Sequence, residues 1–436
     1  MRLPCPLWTV LIIVAGLGAI LFSCKEDEPF LPAVPTIQLT AKDASCTEAW
    51  LRIVLLQGVY PRTVTLKRDT LTVFTATLTE SDTTIMDEGL LPNRSYTYTL
   101  TRPAGAFEER AMVSIRTLDT TSHSFTWQAD TLGEGFTNVL NDVAILNDTL
   151  AYAVGEMYLR DSTGQIDPQA WNAAKWNGQR WELKRIPFIG PCSAVLYPPL
   201  KAIWVFSATN ILVTNGGSIV RFDGINATMD CGMNPLLAGA INKIYGVSPQ
   251  DVYAVGDVGT IVHYANGTWQ RIESGTRETI NDVWGGSNPL LGDNVVVMAV
   301  GSRSTIGESK FIRIRRATGQ LDSISWPLQS WPRYSVWFDQ RSRVFTCGGG
   351  VFMSGNNGWQ MIPQLSSVFT NSIRGSGPNN VVVGGDFGLL AHFNGASWQV
   401  YTDVGGGSYK SVAVRGNLIM EVGWLGSRAF TLVGRR

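Results

Sequence analysis

The sequence predicts an all-β protein, a small β-sandwich followed by a seven-bladed β-propeller, and three observations carry that prediction. The first is a recurring phrase. Ile241-Asn242-Lys243-Ile244-Tyr245-Gly246, Asp251-Val252-Tyr253-Ala254-Val255-Gly256-Asp257, Gly259-Thr260-Ile261-Val262-His263-Tyr264 and Trp269 are echoed by Asn371-Ser372-Ile373-Arg374-Gly375, Asn380-Val381-Val382-Val383-Gly384-Gly385-Asp386, Gly388-Leu389-Leu390-Ala391-His392-Phe393 and Trp398. Four short β runs between glycine-rich turns, repeated roughly every 40 residues, make a unit that cannot bury both faces without neighbours. The second is a period-two alternation of apolar and polar residues ahead of the repeats, as expected of half-buried strands. The third is an offset between the ends of the repeat region. The last copy stops after three runs, while Ser124-Phe125-Thr126-Trp127-Gln128-Ala129, ahead of the first copy, reads like the fourth run of the others. Pairing these two ends closes the ring without leaving an unpaired edge.

From the N-terminus, Met1 to Ser23 carry a basic start at Arg2, an apolar run from Leu7 to Phe22 and small residues before Cys24. That pattern is a secretory signal, too short and too early for a membrane span. Leu21-Phe22-Ser23-Cys24 resembles a bacterial lipobox, which implies that Cys24 is acylated and becomes the mature N-terminus. The acidic tether of residues 24–34, with Lys25-Glu26-Asp27-Glu28-Pro29, resembles the export signal of some surface lipoproteins. The expected location is therefore the outer membrane of a Gram-negative bacterium, at the cell surface or on the periplasmic face, with attachment through the lipid. An inner-leaflet anchor facing the periplasm is the alternative.

Residues 35–119 alternate in runs such as Ala49-Trp50-Leu51-Arg52-Ile53-Val54-Leu55, Thr63-Val64-Thr65-Leu66 and Tyr96-Thr97-Tyr98-Thr99-Leu100, predicting a β-sandwich. The stretch Gly89-Leu90-Leu91-Pro92-Asn93-Arg94-Ser95-Tyr96-Thr97-Tyr98 resembles the tyrosine-corner region of fibronectin type III modules. That resemblance implies a spacer or adhesive unit.

Residues 122–436 hold five further copies of the phrase. They begin near Asn141-Asp142-Val143-Ala144, Ile203-Trp204-Val205, Ile280-Asn281-Asp282-Val283, Val336-Trp337-Phe338 and Ser411-Val412-Ala413-Val414. The turn-and-strand signature Gly-Asp-x-Gly-Thr-Ile-x-His-Tyr is similar to the propeller repeats of secreted bacterial proteins, related at a distance to BNR and photosystem-assembly-factor propellers. The resemblance implies architecture and says little of activity, because propellers host enzymes, lectins and scaffolds alike.

With 35 basic and 35 acidic residues, the chain offers no general attraction to nucleic acid or anionic lipid. Beyond Cys5 and Cys24, the cysteines are Cys46, Cys192, Cys231 and Cys347. They form no CxxC pair and no Cys/His spacing suited to zinc, and nothing implies a cofactor. A Cys192–Cys231 disulfide is allowed in an oxidising compartment, and isolated thiols are the alternative.

Propellers usually bind ligands on the face that carries the turns between second and third strands. The candidates there are Glu156, Asp257, Arg277, Arg303, Asp386 and Trp424. Trp171 joins them from the insertion Arg160 to Trp171 in the first copy, since insertions on one face often serve recognition. The competing structural reading of Asp257 and Asp386 is that they cap their Gly-Asp-x-Gly turns by bonding nearby backbone N–H groups. His263 and His392 share one repeat position, and Trp269, Trp359 and Trp398 share another, which predicts packing roles for all five. No catalytic motif stands out, and Ser354-Gly355-Asn356-Asn357-Gly358-Trp359 only faintly echoes a sialidase Asp-box. The expectation is a monomeric binding or scaffold module for a protein or polysaccharide. The alternatives are a glycoside hydrolase or lyase using Glu156, Asp257 and Asp386, or a structural part of an envelope complex.

Overall fold

The computed structural model describes residues 36–436 apart from 57–61, 105–106, 136, 190–193, 289–290, 302–308, 325–331, 341–342, 356–357 and 366–368. The signal and lipobox with Cys24, and also Cys192 and Arg303, lie outside the described residues. No helix among the described residues is long and apolar enough to cross a membrane.

The alternating N-terminal runs form two antiparallel sheets. One orders Ile37–Ala44, Glu48–Leu55 and Asp82–Glu88, and the other orders Leu71–Leu78, Arg62–Arg68, Ser95–Ala104 and Phe107–Arg116. The apolar phase of each run faces a shared core that includes Leu39, Leu51, Ile53, Leu66, Tyr98 and Leu100. The Tyr96 hydroxyl accepts from the Leu91 N–H at 2.8 Å.

Residues 126–435 form seven four-stranded antiparallel sheets among the described residues. Their first strands are Val139–Asn147, Ala202–Ser207, Ile241–Ser248, Ile280–Asn288, Arg333–Phe338, Thr370–Gly377 and Ser408–Arg415. Each of these inner strands touches the next in chain order, and the seventh touches the first, so they enclose a central channel. The seventh sheet takes its outer strand from the other end of the repeat region. Arg428–Arg435 pairs with Thr126–Leu132, from Arg435 opposite Thr126 to Ala429 opposite Leu132. Closure by the two ends is as the sequence predicts.

Six of the seven inner strands slip by one residue near their start. The unpaired residues are Asn141, Asn242, Asn281, Tyr334, Asn371 and Lys410. A bulge of this kind re-aims one side chain while the ladder resumes beyond it. It also explains the glycine that ends the second run of the phrase. The bulge pushes the inner strand against its partner, so that a Cβ on Gly256 would lie 1.9 Å from Ala240 O, and one on Gly423 1.9 Å from Ser408 O. The backbone of Gly256 is extended, so close approach rather than backbone conformation requires glycine there. Gly256→Ala is expected to lower stability by about 3 kcal/mol, measured as a lower urea midpoint at unchanged m.

The sandwich packs against the fifth and sixth sheets. Glu48 and Arg343 form a buried ion pair across the junction, and the Thr121 N–H donates to Asn394 O at 3.2 Å. A Cβ on Gly395 would meet Cys46 Sγ at 2.3 Å.

Candidate functional site

The bulge residues meet at one end of the channel. Asn141, Asn242, Tyr334, Asn371 and Lys410, joined by Lys201, Asp386 and Trp424, line an open cavity of about 540 Å³ at the mouth of the ring. Three asparagines turn their amide nitrogens into the wall. Asn141 Nδ2 donates to Leu200 O at 2.8 Å, Asn242 Nδ2 to Asp257 Oδ1 at 2.7 Å, and Asn371 Nδ2 to Asp386 Oδ1 and to Tyr409 O, both at 2.9 Å. All four partners are acceptors only, which fixes the orientation of each amide and turns its Oδ1 away from them.

The floor of the cavity is a polar plug made by the residues that follow the bulges together with Arg374. Lys243 Nζ lies 2.5 Å from Asp142 Oδ1, and Ser411 Oγ donates to the same oxygen at 2.7 Å. Arg374 grips Asp282 with two bonds, Nη2 to Oδ1 at 2.6 Å and Nη1 to Oδ2 at 2.8 Å. Burial pushes the Asp282 carboxyl up, but the Arg374 guanidinium outweighs it and holds the group below the usual carboxylate range. The same side chains also bridge neighbouring inner strands. Ile203 N donates to Asp142, Val336 N to Asp282, Ile373 N to Ser335 Oγ and Val412 N to Ser372 Oγ, at 3.0 to 3.2 Å. The inner strands are the inward edges of their sheets, so these oxygens satisfy N–H groups that no fifth strand could reach. On the far side of the plug the channel opens into a mixed cavity of about 250 Å³, where Ile203, Trp204, Trp284 and Val412 line it together with Lys243, Arg374 and Arg415.

The candidates from the sequence scatter over this frame. Asp386 and Trp424 line the mouth, and Trp424 is 42% exposed. Asp257 stands behind Asn242 in the wall. Neither aspartate bonds to turn N–H groups, as the capping reading would have it. Each links its own bulge asparagine to the start of the next sheet: Thr279 Oγ1 donates to Asp257 Oδ1 at 3.3 Å, and Ser408 donates to Asp386 Oδ1. The turn itself places its third residue in the left-handed region, Val258 at φ 54° and Phe387 at φ 58°. For a β-branched or bulky side chain that conformation is strained, and both side chains are exposed. Glu156 is half-buried and accepts from the Tyr158 hydroxyl at 3.2 Å. Trp171 opens the strand Trp171–Trp176 and lies 4.4 Å beneath the Arg185 guanidinium. Arg277 is exposed, ahead of the fourth sheet. Cys231 is exposed with a free thiol, and its proposed partner Cys192 falls outside the described residues.

The bulge residues were not singled out from the sequence, although a signal was present. An asparagine precedes the inner Asp, Lys or Ser in Asn141-Asp142, Asn242-Lys243, Asn281-Asp282 and Asn371-Ser372.

The two repeat histidines make one bond twice. His263 Nε2 pairs with Asp251 Oδ1 at 2.8 Å and His392 Nε2 with Asn380 Oδ1 at 3.0 Å, each reaching the start of the neighbouring strand. His392 Nδ1 also lies 2.9 Å from His123 Nδ1, so the linker histidine docks on the sixth sheet. Burial, with the charges of His123 and Arg436, pulls His392 down to about 3. Its folded pKa is depressed, so the neutral ring contributes stability above pH 6.5 that is lost as pH falls toward 3. Buried Glu421, raised well above its ordinary value by burial, acts with the opposite sign, so the total profile mixes the two. The stability difference between wild type and His392→Asn isolates the histidine. That difference is expected to shrink by about 1.4 kcal/mol per pH unit below 6.5, and urea titrations at pH 7, 6 and 5 would show it.

Among the described residues the mouth lining contains one carboxylate, Asp386. Among the described residues no group of three or more His, Cys, Asp or Glu side chains is placed to hold a metal ion. No family model and no curated protein matches the chain. Among solved structures, YCF48 bound to a D1 peptide is similar with a TM-score of 0.53 at 16% identity, covering 73% of this chain and 100% of that one. YCF48 from Cyanidioschyzon merolae follows with a TM-score of 0.49 at 14% identity, over 71% of this chain and 98% of that one. At these identities the likeness is one of fold, and the chain carries a β-propeller.

Proposed function

We propose that this chain is a surface or periplasmic lipoprotein of a Gram-negative outer membrane, anchored through acylated Cys24. In this reading a fibronectin type III-like sandwich and a seven-bladed propeller form one scaffold, which binds a protein partner at the mouth of the ring. The observation that carries the reading is the mouth itself. A one-residue slip repeated in six inner strands sets five of the slipped residues, Asn141, Asn242, Tyr334, Asn371 and Lys410, around the mouth, which is more than ring closure needs and suits recognition. The solved YCF48 propeller with a bound peptide supports the same use of the fold. The reading favours a scaffold over a hydrolase that works through paired carboxylates, because among the described residues the mouth lining holds Asp386 alone and its Oδ1 already accepts from Asn371 and Ser408.

The test is to incubate the chain with peptides, polysaccharides and peptidoglycan fragments and to score retention and product release together. Retention of peptide without products, weakened at least fivefold by Trp424→Ala, is the expected result. Release of products would replace the scaffold with an enzyme. Labelled fatty acid should enter the wild-type chain in cells and be absent from Cys24→Ser, and equal labelling of both would remove the lipid anchor.

A further inference from the structure

We infer that Glu421 is a proton-controlled latch on the seam between the sixth and seventh sheets: with its proton the seam closes, and without it the seam parts beneath the mouth. The first support is a departure from the repeat. At three other seams, matching second-strand positions share a core as apolar pairs, Val255 with Met298, Cys347 with Val383, and Val422 with Ala153. By the same register, Gly384 and Glu421 occupy those places between the sixth and seventh sheets. The glycine leaves the room that the carboxyl fills, since a Cβ on Gly384 would lie 2.9 Å from Glu421 Oε2 and 3.1 Å from Oε1. A sequence that breaks its own pattern at one buried position, with a matched change across the seam, marks function more than packing.

The second support is isolation. Glu421 is fully buried, and neither of its oxygens has a hydrogen-bond partner. Its register neighbours Val412 and Leu432 belong to a core with Val382, Leu390, Tyr409 and Phe430. Tyr409 is the titratable member of that set. Its hydroxyl is likewise buried without a partner, and burial, then the Glu421 charge, pushes it up, so it stays neutral. No member of the set is a cation, so an ionised Glu421 would be uncompensated. Burial accordingly pushes the carboxyl well above the usual carboxylate range. Its neutral form contributes stability that is complete below the unfolded value near 4.5 and is lost as pH rises through the higher folded value.

The third support is position. The strand Leu418–Leu425 carries Glu421 in the seam and Trp424 at the mouth. Tyr409 lies opposite Gly423, and Ser408 opposite Trp424. A groove of about 270 Å³ over Asp386, Phe387, Ser408, Trp424 and Leu425 takes its described lining from these two sheets and the loop that joins them. A Cβ on Gly405 would meet the Tyr409 hydroxyl, so that loop rests on the seam. When Glu421 gives its proton to solvent, water must reach the carboxylate, and parting of the two sheets lets it in. The latch holds whatever the mouth binds.

The experiment combines urea denaturation with hydrogen exchange on the full chain between pH 5 and 8. It compares wild type, Glu421→Gln, and Glu421→Ala with Gly384→Val, which copies the Val422 and Ala153 pair. The folding equilibrium constant of wild type relative to either variant should fall about tenfold per pH unit above 4.5 until the folded value is passed, at least a hundredfold in all. Across that range wild-type amide protection in Asn380–Gly385 and Leu418–Leu425 should fall at least tenfold relative to Asp251–Gly256, and the ratio should stay constant in the variants. If Glu421→Gln does not fold, the double variant supplies the same comparison. A stability ratio that does not change with pH would overturn the inference. Equal loss of protection in all three segments would overturn it too, leaving Glu421 a burden on global stability and no latch on this seam.

Discussion

Truncation of the chain after Gly423 is expected to unfold the entire ring, not to fray one sheet. The deletion removes Arg428–Arg435, which pairs on one side with Leu418–Leu425 and on the other with Thr126–Leu132. The strand from the start of the repeat region then loses its ladder, and the seventh sheet is reduced to two strands. Both seams flanking that sheet also lose their packing. Ala429 and Val433 belong to a core shared with Leu140, Ala151 and Trp176 of the first sheet, and Phe430 and Leu432 belong to one shared with Val382 and Leu390 of the sixth. Each large apolar side chain so exposed forfeits about 1.5 to 3 kcal/mol, and the sum approaches the 5 to 15 kcal/mol that typically separates folded from unfolded chains. Calorimetry and near-ultraviolet circular dichroism should show no cooperative transition for the ring. A truncated protein that keeps a single sharp transition and native amide protection in the third and fourth sheets would show that closure by the two ends is dispensable.

This closure was legible in the sequence because it depends on a pattern. Thr126-Trp127-Gln128 repeats the outer-strand signature of Thr268-Trp269-Gln270 and Ser397-Trp398-Gln399, and a strand without a partner had to pair with the sheet that lacked one. The recurring histidines and tryptophans were legible for the same reason. His263 and His392 bond across to the second strand, and Trp269 is buried between sheets. A residue at a fixed repeat position inherits a fixed environment.

The site was less legible, and the cause is physical. A bulge adds one residue to a strand without changing its composition, so a period-two reading passes over it. The consequence is that Asn242 and Lys243 exchange the roles that simple alternation would give them, one at the mouth and one in the plug. The polar contacts that matter also join distant positions. Asp142 meets Lys243 and Ser411, and Asp282 meets Arg374. Spacing along the chain carries no trace of such pairs. The aspartates of the Gly-Asp-x-Gly turns illustrate the gap: Asp386 lines the mouth while Asp257 stands behind Asn242, and the bonds of both go to side chains at or beside the inner strands, not to the turn's own N–H groups.

Arg374→Met is expected to cost about 3 to 5 kcal/mol, because it leaves Asp282 charged, buried and without its cation. Arg374 is 7% exposed and Asp282 is 3% exposed, so water cannot replace the lost bonds. The guanidinium also bonds Ser335 Oγ at 2.9 Å and Ile373 O at 2.8 Å and lies 5.0 Å over the Trp284 ring. The variant therefore loosens the plug at three inner strands. Its pH dependence should differ in sign from that of the wild type. With Arg374 present, the depressed Asp282 pKa contributes stability above the unfolded value near 4 that is lost as pH falls through the lower folded value. Without it, burial alone raises the folded pKa, so the deficit is smallest near pH 4 and grows as pH rises and the carboxyl is forced to ionise. Adding Asp282→Leu should recover much of the loss, since an apolar pair of similar volume can match a buried ion pair. Chemical denaturation of wild type, single and double variants at pH 4.5 and 7.5 tests all three statements. A deficit for Arg374→Met that is equal at the two pH values, or a double variant no more stable than the single, would show that the plug is held by packing and that Asp282 carries no uncompensated charge.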